Sequence, residues 1–147
     1  MGELKLSSEI RKETGKGVAG RMRREGRIPA NVIAGGKSTV ITIENADLQK
    51  LMNAGLRTSS VIQLDVNGGD AGGKVIVKEI QREPVSGRVM HVDFYRITPG
   101  LKTLITVPVE VTGQSKGVKA GGALEQYISK LKVRATPETF QEIIHVD

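Results

Sequence analysis

Apolar and polar residues alternate along most of this chain with the period of two expected of a β-strand buried on one face. Thr39 to Glu44 (TVITIE) puts Ile41 and Ile43 on one face, and Ser60 to Val66 (SVIQLDV) does the same with Ile62, Leu64 and Val66. NGGDAGG, residues 67 to 73, is a glycine-rich turn into KVIVKEIQ, so the strands on either side of it are expected to pair antiparallel. Between the TVITIE and SVIQLDV runs the period changes. Leu48, Leu51 and Met52 fall at i, i+3 and i+4, with Asn45 as the expected N-cap and Gly55 as the C′ stop of a short helix that plugs one end of the sheet.

Pro84 and Gly87 turn the chain into VMHVDFYRI, residues 89 to 97, and TPG at 98 to 100 marks a boundary. The expected organisation is a first domain over 1–97 and a smaller one over 98–147. In the second, LITVPVEV alternates again, with Pro108 pointing to an edge or a bulge. GQSKGVKAGG, residues 113 to 122, reads as a flexible surface loop that lacks P-loop spacing. Strands are expected at 124–135 and 142–147, the last reaching Asp147 in mid-strand, as an incomplete domain would. With few large apolar side chains, this unit is expected to be too small for stability alone. The fold class is mainly β with short helices.

At 147 residues and 38% hydrophobic, the chain is expected to be globular. It contains no cysteine, which removes disulfides, thiolate nucleophiles and Cys-based metal sites and fits a reducing cytoplasm. No apolar run is long enough for a membrane span, and the start lacks the apolar core of a signal peptide. Met-Gly at the start is not read as a myristoylation signal, because Leu6 stands where Ser or Thr is required.

Charge changes the picture more than composition does. The net charge is +6, and between Arg11 and Arg27 seven cationic side chains face only Glu13 and Glu25. Charge focused in this way concentrates a polyanionic partner, although a solvated basic face is the ordinary alternative. The same segment contains GKGVAG, residues 15 to 20, the G-x-G-x-x-G of a dinucleotide turn, with Glu44 at the distance of a ribose-binding acid. That reading fails on its surroundings. Charged residues Glu9 to Thr14 separate the turn from any preceding strand, and Gly26 and Pro29 stop the following helix before it gains an apolar face. As an RNA-binding element the residues make sense together: glycines allow close backbone approach, and a short helix projects Arg21, Arg24 and Arg27, or Arg23 and Arg27, toward phosphates.

VMHVDFYRI adds a candidate for reading RNA. Met90, Val92 and Phe94 form its apolar face, leaving His91, Asp93 and Tyr95 on an exposed one, with Gln81 nearby across the turn. His and Asp suit base edges and 2′-hydroxyls, while a plain solvated strand face is the competing reading. Catalysis by His91 and Asp93 lacks a positioned nucleophile or a third metal ligand, so neither catalytic nor metal-binding residues are assigned and no cofactor is expected.

IRKETGKG followed by RMRREGRIPA, with QREPVSGRVMHVDFYRI sixty residues later, resembles the bacterial large-subunit ribosomal proteins that bind 5S ribosomal RNA, the general stress protein CTC family. The resemblance covers essentially the whole chain. It implies a six-stranded antiparallel β-barrel docking on 5S rRNA, followed by a second, mostly β domain. It also implies a non-catalytic, cytoplasmic ribosomal constituent with other large-subunit components as partners and neither membrane nor small-molecule substrate. The alternative is a free-standing stress protein that binds RNA and meets ribosomes transiently. Arg11, Lys16, Arg23, His91 and Asp93 carry over as RNA contacts. Ile33 replaces a usual tyrosine and Ala19 a common serine, which removes two hydroxyls from the implied interface.

Overall fold

The computed structural model describes residues 4–69, 72–136 and 139–147. Met1 and Gly2, and the centre of the expected 67–73 turn, lie outside them. The elements are β1 (Lys5–Ile10), α1 (Lys16–Arg24), β2 (Arg27–Ala34), β3 (Lys37–Glu44), α2 (Asn45–Asn53), β4 (Val61–Asn67), β5 (Gly73–Arg82), β6 (Val89–Arg96), β7 (Thr103–Val111), α3 (Lys116–Lys119), β8 (Lys130–Ala135) and β9 (Ile144–Val146).

Alternation along the first six strands leaves each with one apolar face, and curling the sheet on itself buries all six faces at once. The strands close into a barrel in the order β1-β3-β2-β6-β5-β4. Four ladders are antiparallel, as expected, and closure runs through two parallel ones, β1 with β4 and β2 with β6. The interior holds Leu6, Ile28, Ala30, Val32, Ile41, Ile43, Ile62, Leu64, Val75, Val77, Val92 and Phe94. Each large side chain so buried contributes about 1.5–3 kcal/mol against exposure. Gly35 and Gly36, both at positive φ, make the two-residue turn between β2 and β3.

Leu48 of α2 is fully buried against this core, with Leu51 and Met52 packed beside it, so the helix closes the barrel as expected. Its ends differ from expectation at one side only. Asn45 is the first helical residue and caps nothing; Glu44 holds the N-cap position without a side-chain cap bond. At the other end Gly55 (φ +105) donates to the Met52 carbonyl and Leu56 to that of Leu51, the paired bonds of a Schellman stop.

Beyond the barrel, β8-β7-β9 form a three-stranded sheet. The expected edge or bulge at Pro108 is corrected: β7 is the central strand. Proline is tolerated there because the β8 ladder ends at Pro108 and the β9 ladder begins at Val109. Two further corrections are local. The 113–122 loop contains a one-turn helix, α3, capped by the Ser115 hydroxyl accepting from the Val118 N–H, and β8 begins only at Lys130, not 124.

Candidate nucleic-acid interface

Two β-bulges shape the polar face of β6. After Val77, which faces Phe94 across the β5–β6 ladder, Glu79 pairs with Asp93, so Lys78 is an inserted residue. One extra residue reverses the alternation, turning Ile80 toward the core and Gln81 outward, directly opposite His91. The second bulge lies between Gln81 and Arg82, where Met90 is the extra residue on β6. It corrects the expected apolar face: Val89 is buried and Met90 only half so. A bulge leaves backbone groups unpaired, and here the Met90 carbonyl accepts from Arg23 Nε at 3.0 Å.

That bond ties α1 to the outside of the barrel, over β2. Arg23 is therefore folded back, and among the α1 arginines Arg21 and Arg24 project into solvent, as does Lys16 in the first turn. Arg27 lies beyond the helix, at the start of β2, where its Nε stands 3.6 Å from Glu44. This corrects the expectation that Arg27 would join a helical row, because Gly26, at φ +81, ends the turn before it. Side chains added at Gly17 or Gly20 would meet nothing, so internal packing does not require these glycines.

Arg11 follows β1, held by its N–H to the Val40 carbonyl, and its guanidinium reaches under α1 to the Met22 sulfur at 3.9 Å. Burial, and then the charge of Arg23, push its pKa below the ordinary arginine value. Its Nε is buried with no hydrogen-bond partner. The same is true of His91 Nδ1, which stands 3.3 Å from Asp93 Oδ1 without a hydrogen bond forming between them. The His91 and Asp93 side chains are 20% and 17% exposed, so the expected open row is in fact largely covered at these two positions. Asn31 on β2 pairs in register with Asp93, and Ile33 with Tyr95, whose ring carries the Lys78 ammonium at 4.9 Å from its centroid.

The structure thus gathers Gln81, His91 and Asp93 on one outer face, with Arg23 and Arg11 at the edge of α1 beside it. Lys16, Arg21 and Arg24 stand on the free side of that helix. Asn31 escaped the sequence reading because the β2–β6 pairing joins segments sixty residues apart. The bulge at Lys78 did leave a trace, since Val75, Val77 and Ile80 break strict alternation.

Residues 6–94 match the Ribosomal L25p family, and 102–147 match the C-terminal domain of ribosomal protein TL5. The chain belongs to the Ribosomal L25p family. The large ribosomal subunit protein bL25 of Halothermothrix orenii is 36% identical over all of this chain, which covers 67% of that protein. Its counterpart in Pseudomonas putida is 36% identical, again over the whole chain, which covers 74% of it, and that of Carboxydothermus hydrogenoformans is 35% identical over 97% of the chain and 71% of its own length. Membership makes the chain a structural ribosomal protein and not an enzyme, which ends both the dinucleotide reading of GKGVAG and the acid–base reading of His91 and Asp93.

Proposed function

We propose that this large-subunit ribosomal constituent of the bacterial cytoplasm binds 5S rRNA through α1 and the outer face of β6 and β2. The observation that carries the reading is a cationic helix set against a polar strand face: Lys16, Arg21 and Arg24 stand exposed on α1, and Arg23 ties that helix to the Met90 carbonyl beside Gln81, His91 and Asp93. Cations hold a sugar–phosphate chain without reading it, and the adjoining polar row supplies groups that read. Arg21, Arg24 and Lys16 supply phosphate contacts, while His91, Asp93 and Gln81 face base edges and 2′-hydroxyls. Open space at Gly17 and Gly20 lets a ribose–phosphate chain approach the helix backbone closely. In this reading residues 1–97 are the 5S rRNA-binding domain and 98–147 a second domain, a division that the two separate family matches support.

The test is a titration of each variant against 5S rRNA and a scrambled RNA of equal length. Arg24→Ala should make the salt dependence shallower by about one unit of log–log slope on both RNAs. Asp93→Ala should weaken 5S rRNA by about 1–3 kcal/mol and leave the scrambled RNA unchanged. Equal losses on both RNAs would make Asp93 a structural support, and no binding preference by the parent protein would remove the reading itself.

A further inference from the structure

The second sheet carries a cationic surface that the interface above does not use. Residues 98–147 contain six cationic and five acidic side chains, nearly balanced. Three of the six cations nevertheless fall within one strand of six residues. Lys130, Lys132 and Arg134 alternate along β8, so all three stand on one face, opposite Pro108, Thr106 and Leu104 of β7. Each is exposed, and none has an ion pair among the described residues. Alternate strand residues are about 6.7 Å apart, so the charges form a row about 13 Å long. Glu110, next in the alternation on β7, is engaged by Arg57 at 3.1 Å and leaves the row unopposed. Arg57, Thr58, Thr106, Pro108 and Lys130 line an open cleft at its end.

Position gives this row its meaning. The other face of the sheet, with Ile105, Val107 and Val133, packs on Ile76 of β5 and Val61 of β4. Around the ring β1-β3-β2-β6-β5-β4, the β5–β4 side lies across the barrel from β3 and β2, where α1 sits. A straight RNA helix lying on α1 cannot also lie on β8. We propose that the outer face of β8 holds the sugar–phosphate backbone of a second RNA segment, so that one chain bridges two separate RNA elements. The inference rests on the proposed 5S rRNA binding for its first arm only. Phosphate is the ligand because the row offers only cations and the deep, narrow major groove of an RNA helix keeps side chains from its base edges, so the contact is indifferent to sequence and sensitive to salt.

The experiment uses the full chain saturated with 5S rRNA and a labelled RNA duplex of twenty base pairs as probe. The parent complex should take up the duplex with an affinity that falls steeply with salt. Substituting Lys130→Glu, Lys132→Glu and Arg134→Glu together should weaken duplex uptake at least tenfold while 5S rRNA affinity stays within twofold. Lys132→Gln alone, which leaves the fold untouched, should make the log–log salt slope shallower by about 0.9. Unchanged uptake in both variants would overturn the inference and leave the lysines as guards of an edge strand against edge-to-edge pairing. A parallel loss of 5S rRNA binding in the variants would overturn it too, since β8 would then belong to the first contact. Failure of the parent chain to bind 5S rRNA would instead strike the proposed function.

Discussion

The barrel and the three-stranded sheet beside it bury their apolar faces by opposite means. In the barrel each strand's apolar face meets the others across a closed ring, with α2 over one end, and the core is complete within residues 4–97. The second sheet cannot close. Its own fully buried apolar residues are Ile105 and Val107, and they reach that state only against Ile76, an outward-facing residue of the barrel, with Val61, Ile97, Val133, Phe140 and Ile144 around them. On its remaining surfaces Leu104, Leu124, Ile128 and Tyr127 stay more than half exposed. A closed sheet makes its own interior, whereas an open one of this size borrows its neighbour's wall.

The sharpest way to break the barrel side of this contrast is Phe94→Ala. It removes the largest fully buried side chain, at the centre of the closed core, and should cost about 3–5 kcal/mol in a denaturant melt. Because the second sheet stands on the barrel wall, both regions should lose amide protection together. Survival of β7 protection after the barrel has opened would show that the sheet is self-supporting.

Ile76→Ala separates the two regions more finely. The residue lies on the outside of the barrel, so the barrel core stays filled while the second sheet loses its main support. About 2–4 kcal/mol is expected, seen mainly as faster amide exchange in β7 and β8 with β2 and β6 little changed. Uniform loss throughout would mean that the two regions unfold as one unit.

Ser59 joins the regions through polar contacts. It is fully buried, at φ +79, with its N–H on the Val77 carbonyl and its hydroxyl on that of Glu142 at 2.8 Å. Ser59→Ala keeps the strained backbone and removes the donor to the Glu142 carbonyl, which should cost about 1 kcal/mol and loosen residues near Glu142 first. Ser59→Gly relieves the strain while losing the same bond, so it should be the milder change. The reverse order would show that the hydroxyl matters less than the space it fills.

The smallest effect belongs to the ion pair between Arg57 and Glu110, whose side chains are both close to half exposed. Arg57→Ala should change stability by no more than about 1 kcal/mol, and less in high salt. A larger loss would move the coupling of barrel and sheet from apolar packing to charge.

What the sequence alone determined is local: the period of two in TVITIE, SVIQLDV and VMHVDFYRI, the i, i+3, i+4 pattern of α2 with its Gly55 stop, and the crowding of charge between Arg11 and Arg27. Each depends on neighbours a few residues away, whose geometry follows from backbone sterics and side-chain direction. Tertiary structure decided the rest. The parallel β2–β6 ladder brought Asn31 beside Asp93, the bulge at Met90 freed the carbonyl that turns Arg23 inward, and burial under α1 orphaned Arg11 Nε. These contacts join segments up to 67 residues apart. A strand's periodicity states which face is apolar, but not which strand will lie alongside it, because backbone donors and acceptors are the same at every residue and only the closure of the whole ring selects the partners.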